Sequence, residues 1–140
     1  MFDTHGVDRL SEWKRFRDRL ETSPNPLEEL ADFWSRAPFV NSYLDENNPK
    51  EWPDPWHLVD ERLDDLAIAL GMLYTLKLTQ RFMDTECEIH TSMLPKEFNK
   101  KFFLVVDNSH VLNYTIRSVD SLNVLNQTLT DKIWSGNKLP

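Results

Sequence analysis

With 140 residues, 40% of them apolar, and with 5 Trp and 8 Phe, the chain can bury one real core. That excludes global disorder and makes a single domain over residues 1–140 the simplest organisation. The formal net charge is −7, with 16 Lys and Arg against 23 Asp and Glu, which argues against a phosphate-neutralising nucleic-acid binder.

The one cysteine, Cys87, cannot form an internal disulfide and leaves little room for a Cys-ligated zinc site. No apolar run reaches the ~20 residues that span a bilayer. The N-terminal MFDTHGVDRL lacks the basic-then-apolar order of a secretory signal. The expectation is a soluble protein without membrane contact, kept in the cytoplasm of a host cell or assembled there into a particle.

The first predicted helix runs from about Val7 to Glu21. Leu10, Trp13, Phe16 and Leu20 recur at steps of three and four and make one apolar stripe. Arg9, Lys14, Arg15, Arg17 and Arg19 fall on its other faces and are expected in water. A second helix starts at Asn25-Pro26, a cap followed by a proline suited to the first helical position, with Glu28 three residues after the cap. Leu27, Leu30, Phe33, Trp34 and Ala37 form its buried face, and Pro38 ends it. Irregular chain follows, anchored by Phe39, Tyr43 and Trp52, with its longest loop from Asp45 to Pro55.

Asp54-Pro55 opens a short helix reaching about Asp60. The next helix, LDDLAIALGMLYTLKL, is apolar on nearly all sides, the mark of a buried central helix. Gly71 in its middle costs about 1 kcal/mol relative to Ala, so a neighbouring element is expected to pack closely there. After Thr85 the period changes to two: Cys87, Ile89, Thr91 and Met93 on one face, Glu86, Glu88, His90 and Ser92 on the other. KKFFLVVDNSHVLNYTIRSV reads as two strands around an Asp107-Asn108-Ser109 turn. The tail reads as a short helix through Leu122, Leu125 and Leu129, with Ile133-Trp134 as an anchor. Helices first, then a small antiparallel sheet of three strands, give an α+β fold.

Several side chains have the types needed for chemistry. Asp64 and Asp65 at the start of the central helix suit acid–base work, or simply stabilise the positive end of the helix dipole. His57, Glu61 and Asp64 at i, i+4 and i+7 would share one face of a continuous helix and could hold a metal ion. Cys87 and His90 are an odd number apart on a strand, so they face opposite ways and Cys87 reads as core. His90 and Asp107, on neighbouring strands, could pair as an imidazole and the carboxylate that orients it. His110, on a face with Leu112, Tyr114 and Ile116, reads as partly buried. The candidate binding residues are Trp52, Trp56, Asp64, Asp65 and His110. No cofactor is expected.

RLDDLAIALGML, EIHTSM and FFLVVDNSH, at their separations, together resemble the transglutaminase-like group within the papain-like fold. That group carries Asp-Cys-Asp/Glu-Asp-Leu/Phe-Ala at the start of a helix, then a strand with a catalytic His and a strand ending in a catalytic Asp. The resemblance covers about Trp52 to Tyr114 and divides the chain into a helical N-terminal region (1–44), a transglutaminase-like core (52–117) and a C-terminal extension (118–140). DPWHLVDERLDDLAIALGMLYTL is also similar to small proteins of T4-like tailed phages. The resemblance makes His90 and Asp107 the base and orienter of a vestigial triad. Its nucleophile position is Leu63, which has no lone pair to attack a carbonyl.

The expectation is therefore a non-catalytic protein-binding or virion-structural module, phage-encoded, whose partner is a phage structural protein or a host protein. Two alternatives stand beside it. One is a hydrolase that needs no cysteine, metal-assisted through His57 and Asp64 or using a water held by His90 and Asp107. The other is an acidic regulator that binds a host protein. Oligomeric state is open.

Overall fold

The computed structural model describes residues 1–38, 44–59, 63–93, 100–127 and 129–136. Among these residues four α-helices precede five strands: α1 (Gly6–Leu20), α2 (Pro26–Trp34), α3 (Pro55–Leu58), α4 (Asp65–Lys77), β1 (Cys87–Met93), β2 (Lys100–Val106), β3 (His110–Leu112), β4 (Val119–Ser121) and β5 (Leu129–Ser135). Short 3-10 helices lie at Pro49–Glu51 and Leu122–Gln127. The strands form one sheet in the order β4-β3-β2-β1-β5, every neighbouring pair antiparallel. None of the described helices is long and apolar enough to cross a membrane.

α4 is the spine. Every residue from Leu66 to Leu76 is buried, as its all-round apolar sequence requires. α1 and α2 cover it on one side through Trp13, Phe16, Leu20, Leu30 and Trp34, and the sheet covers it on the other through Cys87, Ile89, Leu104, Val106 and Leu112. A smaller cluster lies on the far face of the sheet. There Phe103, Val105 and Val111 pack under Leu122, Val124 and Leu125 of the second 3-10 helix. Both faces of the sheet are thus occupied.

The structure departs from the sequence expectations in four places. The sheet has five strands, because the expected extension, 118–140, supplies β4 and β5. Leu129, Ile133 and Trp134 lie in β5 and pair with β1, so of the expected tail helix only the short 3-10 turn forms. β3 ends at Leu112, which leaves Tyr114 and Ile116 beyond the strand, and His110 is exposed. Arg9 is not in water but 5% exposed. Its guanidinium donates to the carbonyls of Thr4, Val59 and Phe2, which satisfies a charge that burial would otherwise penalise heavily. Phe39 and Tyr43 lie outside the described residues.

Candidate functional site

The start of α4 carries the candidate nucleophile position and the two candidate carboxylates. Asp64 is the N-cap, with extended backbone, and one of its oxygens accepts from the Ala67 N–H at 2.8 Å. The other oxygen accepts from the Leu44 N–H, also at 2.8 Å. Asp65, the first helical residue, reaches the sheet. Its carboxylate accepts from Lys101 Nζ at 2.9 Å, from the Phe102 N–H at 2.8 Å and from Asn113 Nδ2 at 3.1 Å. Asn113 Nδ2 also donates to the Phe102 carbonyl at 2.9 Å. Asn113 sits at φ +66°, a left-handed conformation that Asn tolerates better than most residues. The two carboxylates cap the helix and fasten it to β2 and to the residue after β3. A cation does not fit them: it would have to displace the Lys101 ammonium and backbone N–H donors.

Leu63, just before the cap, is fully buried in the main core. The sheet positions near it follow from register. Phe102, whose backbone meets Asp65, is paired with Thr91, so these two side chains point to the same face. Phe102 packs against the core that holds α4, which puts Thr91 on α4's side of the sheet too. His90 is paired with Phe103, which belongs to the cluster on the opposite face. His90 therefore points away from α4. It is 7% exposed, its Nε2 lies 3.3 Å from a Glu88 oxygen, and its Nδ1 is buried with no hydrogen-bond partner among the described residues.

Asp107 is four positions along β2 from Phe103, roughly 13 Å at the usual strand rise. It sits in the β2–β3 turn at φ +53°, its N–H bonded to the Glu86 carbonyl at 2.7 Å. The structure therefore does not bring Leu63, His90 and Asp107 together. The register that pairs the strands sends the imidazole to one face and the carboxylate past the end of the sheet.

The other candidates are placed as follows. His57 ends α3's first turn, exposed, with Nδ1 2.8 Å from the Asp54 carboxylate. The His57 N–H and ring hold the Asp54 carboxyl below its usual range. Asp64 caps a different helix, so His57 and Asp64 do not share one helical face, and Glu61 lies outside the described residues. Among the described residues no three His, Cys, Asp or Glu side chains cluster as a metal would need. Trp52 is a buried anchor, its Nε1 donating to the Asp45 carbonyl and its ring edge-on to Trp134 at 5.2 Å. Trp56 is 49% exposed and meets Trp13 edge-on, with the Arg17 guanidinium over both rings. His110 and Asp107 line a hollow of about 330 Å³ with Leu27 and Phe82.

Lys101 and Asn113 escaped the sequence reading. The signal for Asn113 was the hairpin turn itself: pairing Val106 with His110 and Leu104 with Leu112 carries Asn113 back beside Phe102 and Phe103.

Cys87 is 1% exposed, and burial pushes its thiol up to about 11. At pH 8 it is expected to resist a disulfide reagent in the native protein and to react at once in denaturant. Fast stoichiometric reaction of the folded protein would mean that the β1 face is open.

Helices packed on a five-stranded antiparallel sheet, with a buried helix whose first turn is tied to β2 and to the residue after β3, make an α+β fold, and its likeness to solved structures makes it the transglutaminase-like one. Solved structures with this arrangement include three of Legionella pneumophila LapG. One matches with a TM-score of 0.70 at 13% identity, over 94% of this chain and 78% of the other. The EGTA-treated form matches at 0.71 and 14% identity, over 94% and 79%. The calcium-bound form matches at 0.69 and 12% identity, over 99% and 84%. At these identities the likeness is one of fold. No protein-family model and no curated protein matches the sequence.

Proposed function

We propose that this chain is a non-catalytic protein-binding module on a transglutaminase-like fold, serving as a component of a phage particle or as the binder of a host protein. The observation that carries the reading is the start of α4. Leu63 there is fully buried and the adjacent carboxylates are committed to helix capping and to the sheet. Acyl transfer needs an attacking lone pair, a base within hydrogen-bonding reach of it and a route for substrate. Leu63 supplies no lone pair, and Thr91 and Phe102, on α4's face of the sheet where β2 meets Asp65, supply no base. The acidic surface and the half-exposed Trp56 suit contact with another protein better than contact with nucleic acid.

The test has two parts. Wild-type protein and Leu63→Cys are assayed for hydrolysis of peptide and thioester substrates. Both are expected to stay at the buffer rate, since His90 lies on the other face of the sheet and His110, on α4's face, is paired with Val106, four positions along β2 from Phe102. Robust turnover by either one sinks the non-catalytic reading. Affinity capture from infected and uninfected cells then separates the two roles: recovery with capsid or tail proteins supports the particle component, and one dominant soluble host protein supports the regulator.

A further inference from the structure

The outer surface of α1 and α2 is concave. Three hollows of about 520, 580 and 210 Å³ all border Phe33. Its ring stacks on Phe16 with centroids 3.8 Å apart and planes 7° apart, and this pair floors the furrow. The α1 wall carries Arg15 and Arg19, the latter with its guanidinium 5.3 Å from the Phe16 centroid. The α2 wall carries Glu28 and Glu29.

Other charges along the furrow neutralise one another within the chain. The N-terminal ammonium meets Glu12 at 2.7 Å, and Arg36 meets Asp32 at 2.9 Å. Arg15, Arg19, Glu28 and Glu29 are all exposed, and among the described residues none of them makes an ion pair. What remains is a furrow with an aromatic floor, one cationic wall and one anionic wall.

Such a furrow is complementary to itself. A two-fold axis lying along it in the contact plane turns a second copy over so that each α1 wall faces the partner's α2 wall. Arg15 and Arg19 of each copy then oppose Glu28 and Glu29 of the other, twice over, while the Phe33 rings meet near the axis. An axis across the furrow would instead set like walls against each other. A closed isologous contact needs this self-matching of one patch, and opposed rows of unpaired charge select its orientation. We propose that the α1–α2 furrow seats a second copy of this chain, giving a two-fold dimer built on four helices. The proposal is independent of whether the start of α4 is catalytic.

The test is sedimentation over a range of concentrations at low salt. The wild-type protein is expected to rise from the 16.6 kDa monomer towards twice that mass, and less so at high salt. Arg15→Glu with Arg19→Glu makes both walls acidic, and Glu28→Lys with Glu29→Lys makes both basic. Each is expected to weaken self-association on the order of tenfold or more. An equimolar mixture of the two should recover it, because an all-acidic furrow fits an all-basic one in both rows. All four side chains are exposed, so folding is preserved, and circular dichroism verifies it; Gln versions replace any reversed variant that unfolds. A wild-type monomer at every concentration overturns the proposal. So does a dimer that survives in both variants, or a mixture that fails to associate.

Discussion

Thr75→Val is expected to destabilise the protein by about 3 kcal/mol or more and to lower its melting temperature by roughly 10 °C. Thr75 lies within α4 with no exposed surface, and two indoles converge on it. Trp13 Nε1 donates to its hydroxyl oxygen at 3.0 Å and Trp34 Nε1 at 3.1 Å. The hydroxyl proton goes to the Gly71 carbonyl at 2.6 Å. One proton and two lone pairs are all a hydroxyl has, so this one is saturated. Val fills nearly the same volume and has a similar helix propensity, so packing and backbone terms almost cancel. What remains is two buried indole N–H groups with no acceptor, each costing ~1–3 kcal/mol. Thr75→Ser keeps the oxygen and loses a methyl, and should cost only about 1 kcal/mol. Thermal and denaturant unfolding of the three proteins decides the matter. A Val variant as stable as wild type, or a Ser variant as damaged as Val, removes the hydroxyl from its role as joint between α1, α2 and α4.

That joint was not visible in the sequence, although its neighbours were. The apolar stripe of α1, the proline at the start of α2, and the all-round oiliness of α4 each follow from spacing within one element, and each is realised in the structure, although Asn25 holds the N-cap position of α2 without a side-chain capping bond. Thr75, Trp13 and Trp34 meet across 62 and 41 residues of sequence, and no local period encodes that. Arg9 was misplaced for the same reason: its carbonyl partners include Val59, fifty residues on.

The reading of the site failed on a subtler point. Alternation along β1 separated Cys87 and Ile89 from His90, and the structure keeps that separation. It could not say which face meets α4, because the sheet is covered on both sides and His90, Thr91 and Ser92 are all buried. In a sheet with one wet face the polar residues would have marked the outside. Matching motifs in linear order then grouped His90 with Leu63, from which the sheet separates it, while the register of the hairpin brought up Lys101 and Asn113, which carry no catalytic motif. Strands β4 and β5 were missed because they are short or polar and stand only by pairing with β3 and β1.

Gly71 gives the sharpest opposition between a local rule and a packing fact. On helix propensity alone Gly71→Ala stabilises by about 1 kcal/mol. A β-carbon at that position, however, would lie 2.3 Å from Cη2, 2.4 Å from Cζ3 and 2.7 Å from Cζ2 of Trp34. Real carbon atoms do not approach so closely, so the ring or the helix must move. The ring has little freedom: Trp34 is fully buried, its Nε1 is tied to Thr75, and Phe2 and Phe33 lie against it. Shifting it breaks the indole hydrogen bond and disturbs its packing against Phe2 and Phe33. Overpacking of this kind costs ~1–3 kcal/mol before the lost hydrogen bond is added, which exceeds the propensity gain. The variant is therefore expected to be less stable than wild type by about 2 kcal/mol or more. Trp34→Leu removes the clashing atoms at a cost of its own, and in that background Gly71→Ala should become neutral or stabilising, a coupling that a double-mutant cycle measures directly. If the single Ala variant melts higher than wild type, the indole has somewhere to go, and the contact between α2 and α4 is looser than these distances say.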